Sequence, residues 1–381
     1  SNAQNVFTPY ELCYDIIRKL DSKTRNLAKK RFLVLNLEFA EVLIHDFGVD
    51  CGNIEFWTDC DEKRKFCQLM YKGVLHKKIE LNKEGIIEMT KEAKEMKNSD
   101  KFDVVIGNPP YQPPSKNGRP TGATIWDKFI KLSLNLINQN GYLCFINPPR
   151  WRKPDAHDGL LGIFKENNLL FLKIHSKPDG IKMFGCGTRY DWYILQMKGY
   201  EKDTTIVDEQ GNKGNYDISD LLFIPNLISI FPILSKICCV EDNSCSIIYS
   251  LAYHPLESNP YIKRVKNKKY IYPCVHSIHK DKKVKYCYSS INDKGHFGIP
   301  KVIICDNEKI HDVIIDFEGQ YGMTGHAWGI KIDSIEEGNK IREAVLSDKF
   351  KEIIKFSKWG NFQTDYKMFK CFKRDFWKEF V

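Results

Sequence analysis

Lys101 to Gln112 reads KFDVVIGNPPYQ. The apolar run Phe102 to Ile106 after a charged lead-in is the pattern of a strand buried on both faces, as in a parallel sheet. Gly107 halts it, and the chain opens directly into Asn108-Pro109-Pro110-Tyr111. That tetrad then lies on the loop at the carboxyl end of the strand, where open α/β sheets place their ligands.

The loop's composition has a chemical meaning. Two consecutive prolines hold φ near about −65° and remove two backbone donors, leaving a stiff loop whose carbonyls are free to accept. Asn108 adds a side-chain acceptor. An exocyclic amine on a planar ring is a poor nucleophile because its lone pair is delocalised, and two acceptors on its hydrogens favour the pyramidal, attacking form. Tyr111 can stack on such a ring. Neither Asn nor Pro takes a proton at neutral pH, so the loop suits a displacement in which the amine is held first and loses its proton later.

Outward from the tetrad, the flanking chain alternates strands and helices. Thr8-Pro9 reads as an N-cap and first helical residue before Leu12, Ile16, Ile17 and Leu20, which recur at helical spacing. Arg31 to Asn36 reads as a strand followed at once by a helix. Asn53 to Thr58 is a second strand ending in Asp59-Cys60-Asp61, and Leu75 to Asp100 a short strand and a solvated helix. The polar loop Gln112 to Thr124 is long enough to act as a closing flap. A helix from Ile125 is expected to end at Asn140-Gly141, before a strand Tyr142 to Ile146. Asn147-Pro148-Pro149-Arg150-Trp151 echoes the tetrad with Arg for Tyr and is assigned no chemistry. Leu169 to His175 and Gly185 to Leu195 read as a closing strand pair, and 198–220 as a hairpin.

The tetrad and its strand resemble the Asn-Pro-Pro-Tyr motif of the S-adenosylmethionine-dependent N6-adenine DNA methyltransferases of restriction-modification systems. The resemblance covers roughly the first 225 residues in motif order. It implies an α/β fold: a Rossmann-like methyltransferase sheet with helices on both faces over 1–225, then a smaller α+β target-recognition domain over 226–381. It also implies that Asn108, Pro109, Pro110 and Tyr111 are catalytic. The Asn108 side chain and the Pro109 carbonyl would hold the N6 amine of an adenine flipped from the duplex, beside Tyr111.

For the cofactor, Thr8 and Pro9 match the family's Phe-Thr-Pro, which contacts the methionine part. Asp59, with Asp61 as fallback, stands where an acid binds the ribose, although an N-cap role explains Asp59 equally. Phe129 matches the aromatic that walls the pocket, and Tyr190 or Trp192 the one that stacks on the base. The chain departs from the family after its first strand, where a glycine-rich turn gives way to Leu37-Glu38-Phe39. Either Asn36 or Glu38 takes that turn's role around a shifted cofactor, or the methyl-donor site is weakened or lost.

The remaining chain changes in texture. Pro225 and Pro232 break what would otherwise be a helix. Between Tyr261 and Lys285 nine basic residues face one acid, Asp281. Lys263, Arg264, Lys266, Lys268, Lys269 and Tyr270 are the expected nucleic-acid contacts, on a strip with interleaved tyrosines. Cys274, His276, His279 and Cys287 match no common zinc spacing, nor do Cys238, Cys239 and Cys245, and no metal is expected.

The totals agree with a globular protein. Charged residues make up 28% and hydrophobic ones 42%, and 58 basic against 49 acidic residues leave +9, which fits a polyanion partner. Thirteen cysteines without a regular framework read as reduced thiols of a cytoplasmic protein. The most apolar window, Leu221 to Leu234, is too short and too interrupted to span a bilayer. Double-stranded DNA is the expected partner, with a restriction endonuclease or specificity subunit beside it and no membrane. The rival readings are a nucleic-acid-binding or specificity protein that keeps the fold with a degenerate cofactor site, and an N-methyltransferase acting on RNA or protein glutamine.

Overall fold

The first helix begins one residue later than the Thr-Pro signal suggests. In the computed structural model, which describes residues 7–80, 82–112, 124–154, 159–239, 243–360 and 364–381, Pro9 is the N-cap and α1 spans Tyr10–Asp21. Thr8 therefore does not cap the helix, and its buried side chain is left for another task. Most of the polar loop expected to close as a flap, 113–123, lies outside the described residues.

The chain then runs through β1 (Phe32–Val34), α2 (Leu37–His45), β2 (Ile54–Thr58), α3 (Asp61–Met70), β3 (Leu75–Lys78), α4 (Lys83–Glu95) and β4 (Phe102–Gly107). It continues with α5 (Trp126–Leu136), β5 (Ile137–Asn147), α6 (Leu160–Glu166), β6 (Asn167–His175), α7 (Lys177–Phe184), β7 (Tyr190–Gly199), β8 (Thr204–Val207) and β9 (Lys213–Tyr216). The nine strands form one sheet in the order β3-β2-β1-β4-β5-β7-β6-β8-β9. From β3 to β5 all pairings are parallel, and β7 turns the sheet antiparallel.

Strand alternation places Phe32, Val34, Val104 and Ile106 in one core with Leu12, Ile16 and Ile17 of α1 and Phe39, Val42 and Leu43 of α2. The intervening Leu33, Val105 and Leu143 are also buried, on the face where α5 supplies Phe129 and Ile130. Burial on both faces explains why Val104, Val105 and Ile106 of β4 are apolar without alternation. The architecture is a central sheet flanked by helices, as in Rossmann-like methyltransferases, with β-rich structure after it.

One boundary differs in an instructive way. The helix expected to reach Asn140-Gly141 stops at Leu136, and β5 already includes both residues. Asn140 has φ +63°, and the β4–β5 register shifts between Phe102 and Val104. A Cβ on Gly141 would come within 2.7 Å of the Asp103 carbonyl oxygen, so this Asn-Gly pair forms a bulge beside β4 rather than a helix end.

The chain divides into two compact units: Ser1–Trp151 with Ala156–Asp220, and Leu221–Val381 with Arg152–Asp155. Arg152 belongs to the second because its buried guanidinium donates to the carbonyls of Ile224 and Pro225 and to the Asn226 side chain. The second unit holds α8 (Phe231–Ile237), in which Pro232 stands in the first turn rather than breaking the helix. It then holds β10 (Ile247–Ile248), β11 (Ile262–Lys263), β12 (Tyr272–Ile278), β13 (Val284–Ser289), β14 (Lys301–Cys305), β15 (Ile314–Asp316), β16 (Gly322–Met323) and β17 (Ala327–Lys331), followed by α9 (Ile335–Leu346) and α10 (Asp348–Phe356). These strands make two four-stranded sheets, β10-β17-β14-β15 and β11-β13-β12-β16. The helices pack with Val302, Ile304 and Trp328 around Phe350, Phe369, Phe372 and Phe376. Lys301 and Asp316 form an ion pair sealed from solvent in this unit, with Asp316 also accepting the backbone N–H groups of Gln320 and Tyr321.

Candidate active site

In the order β3-β2-β1-β4-β5 the chain reverses direction across the sheet between β1 and β4, and the crevice at that switch is the ordinary ligand site of open α/β sheets. A cleft lies there. After β1 it is lined by Leu35 and Asn36, after β2 by Asp59, and after β4 by Asn108 and Pro110. Trp57, Thr58, Lys63, Ile79 and Phe129 complete its walls. Residues 72 positions apart in sequence thus share one opening.

Side-chain amides tie the two loops together. The backbone N–H of Asn108 donates to Asn36 Oδ1 at 2.5 Å, and Asn108 Nδ2 donates to the buried Thr8 hydroxyl at 3.4 Å. With its amide nitrogen engaged in this way, Asn108 Oδ1 keeps its acceptor capacity. Gly107 makes the arrangement possible: a Cβ there would stand 2.8 Å from Leu35 Cβ and 3.0 Å from Asn36 Oδ1. The close approach that a glycine-rich turn after β1 would normally provide is made here from the β4 side.

The acids separate clearly. Asp59 is half-buried in the cleft, and burial raises its carboxyl pKa, with Lys63 and Lys78 opposing more weakly. It does not cap α3, whose N-cap is Cys60. Asp61 instead sits at the exposed start of α3, where hydrogen bonds from Lys78 and Arg64 (2.7 and 2.9 Å) hold its carboxyl below the usual range. The fallback is therefore engaged outside the cleft. Glu38, in the first turn of α2, does not line the cleft, but its Oε2 is buried without a hydrogen-bond partner. Burial pushes up the neighbouring Cys13 thiol, and Glu38 adds to that shift.

These features bear on whether a nucleoside cofactor fits. Within the cleft, the half-buried acid after β2 and the Phe129 wall form a partly apolar set suited to a ribose and a ring. The residues present fit such a group. Pro9 stands apart from them as the cap of α1.

Tyr111 and the edge aromatics are placed differently from expectation. Tyr111 is half-buried; burial raises its phenol pKa, with Cys186, Asp191 and Tyr190 adding to the shift. It does not line the cleft with Asn108 and Pro110. Tyr190 is buried and stacked on His175 at 4.2 Å, and Trp192 packs on Phe171 at 4.7 Å. Trp192 is thus a core residue. Tyr190 Oη and His175 Nε2 are buried without partners, and burial lowers the His175 pKa to about 4.

Sequence reasoning missed Leu35, Trp57, Thr58, Lys63 and Ile79. Trp57 and Thr58 are the last two residues of β2 and Ile79 follows β3, so they occupy positions at strand carboxyl ends where a cleft residue is expected. Lys63, on α3, carried no signal.

In the second unit Lys263, Arg264, Lys266, Lys268 and Lys269 are exposed and Tyr270 is half-buried. They occupy β11 and the loop entering β12. Lys280, Lys282 and Lys283 lie at the turn between β12 and β13, about 20 Å away along the hairpin at ~3.3 Å per residue. The strip is therefore two patches, and at the turn Lys282 and Lys283 pair with Asp312 and Asp281. Cys274 and Cys287 face each other across β12 and β13 as buried free thiols. Among the described residues no group of three or more His, Cys, Asp or Glu is arranged to hold a metal, and no helix is long and apolar enough to cross a membrane. All thirteen cysteines are free.

Residues 19–177 match the Eco57I restriction-modification methylase family, a stretch that contains β1 to β6 and the tetrad. That stretch carries a methyltransferase domain of the S-adenosylmethionine-dependent restriction-modification type. No curated protein matches the chain. Among solved structures, the DrdV–DNA complex aligns with TM-score 0.52 at 10% identity over 89% of this chain and 51% of that one. The type IIG restriction endonuclease BpuSI aligns with TM-score 0.45 at 9% identity, over 99% and 61%. A modification subunit of a type I restriction enzyme from Vibrio vulnificus aligns with TM-score 0.41 at 14% identity, over 54% and 48%. The chain spans about half to three fifths of the length of these structures, and at such identities the DrdV likeness is one of fold.

Proposed function

We propose that the chain transfers a methyl group to the N6 amine of an adenine in double-stranded DNA, using the cleft between β1 and β4. The observation that carries this reading is the joining of Asn36, Asn108 and Thr8 by hydrogen bonds at the sheet's switch point, with Asp59 and Phe129 in the same cleft. S-adenosylmethionine, when bound, supplies the methyl group. Asp59 would hold its ribose, beside Phe129.

The chain's own part is to present the amine. Asn108 Oδ1 and the Pro109 carbonyl accept its two hydrogens, which favours the pyramidal nitrogen. The two prolines keep those acceptors in place without reorganisation. Tyr111, half-buried, limits the acceptor side. Lys263, Arg264, Lys266, Lys268 and Lys269 contact DNA phosphates, so the log-log salt slope of binding should lose about one unit for each contacting lysine replaced. A restriction endonuclease or specificity subunit is the expected associate.

Incubation with labelled S-adenosylmethionine and mixed DNA, followed by nucleoside analysis, tests the reading, and N6-methyladenine is expected. Label appearing only in RNA or on protein glutamine would instead support those acceptors. One observation favours a second reading: α2 begins at Leu37 without a preceding glycine, as in a nucleic-acid-binding protein with a lost donor site. Calorimetric titration with S-adenosylmethionine, with and without duplex, decides between them, because absence of binding in both leaves only the binding protein.

A further inference from the structure

The second unit contains a side-chain cluster unrelated to the cleft. Three imidazoles meet in it, with ring centroids 5.2 Å apart for His254 and His326 and 4.9 Å apart for His276 and His326. Separate segments deliver them. His276 is the extra residue of a bulge in β12, between Val275 opposite Tyr286 and Ser277 opposite Lys285. Bulges re-aim a side chain out of strand alternation. His326 stands on the turn between β16 and β17, next to Gly325. A Cβ on Gly325 would meet His254 Nδ1 at 2.9 Å, so the glycine is what admits the third ring.

Each ring is held by the same edge. His326 Nδ1 lies 3.0 Å from Asp306 Oδ2, and His276 Nδ1 lies 3.1 Å from the Thr324 hydroxyl. The Gly325 N–H donates to His254 Nδ1 at 3.1 Å, which puts the proton of neutral His254 on Nε2. No Nε2 of the three has a hydrogen-bond partner among the described residues. The charged groups facing the cluster are Arg264, Lys285 and Asp306. Arg264 has no carboxylate partner among the described residues, and Asp306 is the single acid. Neutral His254 presents an Nε2–H donor and cannot ligate a cation in this arrangement, whereas His326, whose Nδ1 donates to the Asp306 carboxylate, presents an Nε2–H only when protonated. The protonated cluster beside the Arg264 guanidinium suits an oxyanion.

We propose that His254, His276 and His326, with Arg264, form a phosphate pocket that grips the backbone of a nucleic acid carried on the Lys263–Lys269 loop. The proposal rests on reading the second unit as nucleic-acid-binding. Burial, then His326, Lys285, Arg264 and His254, lowers the His276 pKa to about 4; burial, then His326, lowers that of His254, while Asp306 opposes. His254 and His276 are therefore largely neutral in the free protein at pH 7. A bound phosphate favours the protonated rings, so binding takes up protons and strengthens as pH falls, by up to about tenfold per pH unit for each linked proton.

Duplex DNA binding by the full chain, measured by anisotropy at pH 6, 7 and 8 and constant ionic strength, tests this. The affinity of the unaltered protein should rise at least about tenfold from pH 8 to pH 6, and His276→Gln and His326→Gln should remove most of that rise. Variants that bind duplex with the full pH dependence overturn the pocket while leaving nucleic-acid binding intact. A second measurement needs no variant: imidazole 15N resonances are followed as inorganic phosphate is added, with chloride as control. If duplex fails to bind at every pH, the nucleic-acid reading fails. Phosphate-specific shifts of the three histidines then support a pocket for free phosphate, and their absence overturns it.

Discussion

The loops after β1 and β4 face one another across the same cleft, yet they reach their shapes by different means. The Asn108–Tyr111 loop is shaped locally, by two prolines that restrict φ and offer no donors. The Leu35–Asn36 turn has no glycine or proline of its own, and its path depends on Gly107 of the opposite strand, where a Cβ would lie 2.8 Å from Leu35 Cβ. Backbone closeness at this cleft is thus a property of two segments together, and the small residue stands on the opposite one.

The largest effect that can test this contrast is at Asn108. Asn108→Ala should lower methyl transfer by about two to three orders of magnitude, the usual cost of losing one transition-state hydrogen-bond partner, with duplex affinity nearly unchanged. A fully active variant would separate the loop from the chemistry. Next is Gly107→Ala, expected to destabilise the fold by ~1–3 kcal/mol through overpacking against Leu35 and to weaken S-adenosylmethionine binding. Denaturant unfolding and calorimetry read both, and an unchanged midpoint would refute the shared-approach account.

Asn36→Ala removes the acceptor for the Asn108 N–H and should cost about 1–3 kcal/mol, again by unfolding. Asp59→Asn tests a smaller effect with a defined sign. Because burial raises the Asp59 pKa in the folded state, its carboxylate lowers stability once pH rises through that raised value. The variant should therefore be slightly more stable than the parent at pH 7 and equal to it below the ordinary carboxylate range, while losing cofactor affinity. A stability gain that persists at low pH would contradict the assignment. The smallest effect belongs to Asp61→Asn, which should leave both cofactor affinity and melting temperature unchanged, because that exposed carboxylate is engaged with Lys78 and Arg64 outside the cleft. A loss of cofactor binding there would exchange the roles of the two acids.

What could be read from the residues alone was whatever depends on neighbours along the chain. The buried β4 strand, the proline-stiffened loop at its end, the acid after β2 and the amphipathic α1 all follow from local pattern and backbone restriction. Local signals misled where a distant group competed for the same residue. Thr8 looked like a helix cap, and it faces Asn108 a hundred positions away. Asn140-Gly141 looked like a helix end, and the Asp103 carbonyl makes it a bulge beside β4. The tertiary structure alone decided that Gly107 spaces Leu35, and that a bulge and a glycine bring three histidines together. In both cases the deciding quantity is a distance across strands, and no spacing along the chain encodes it.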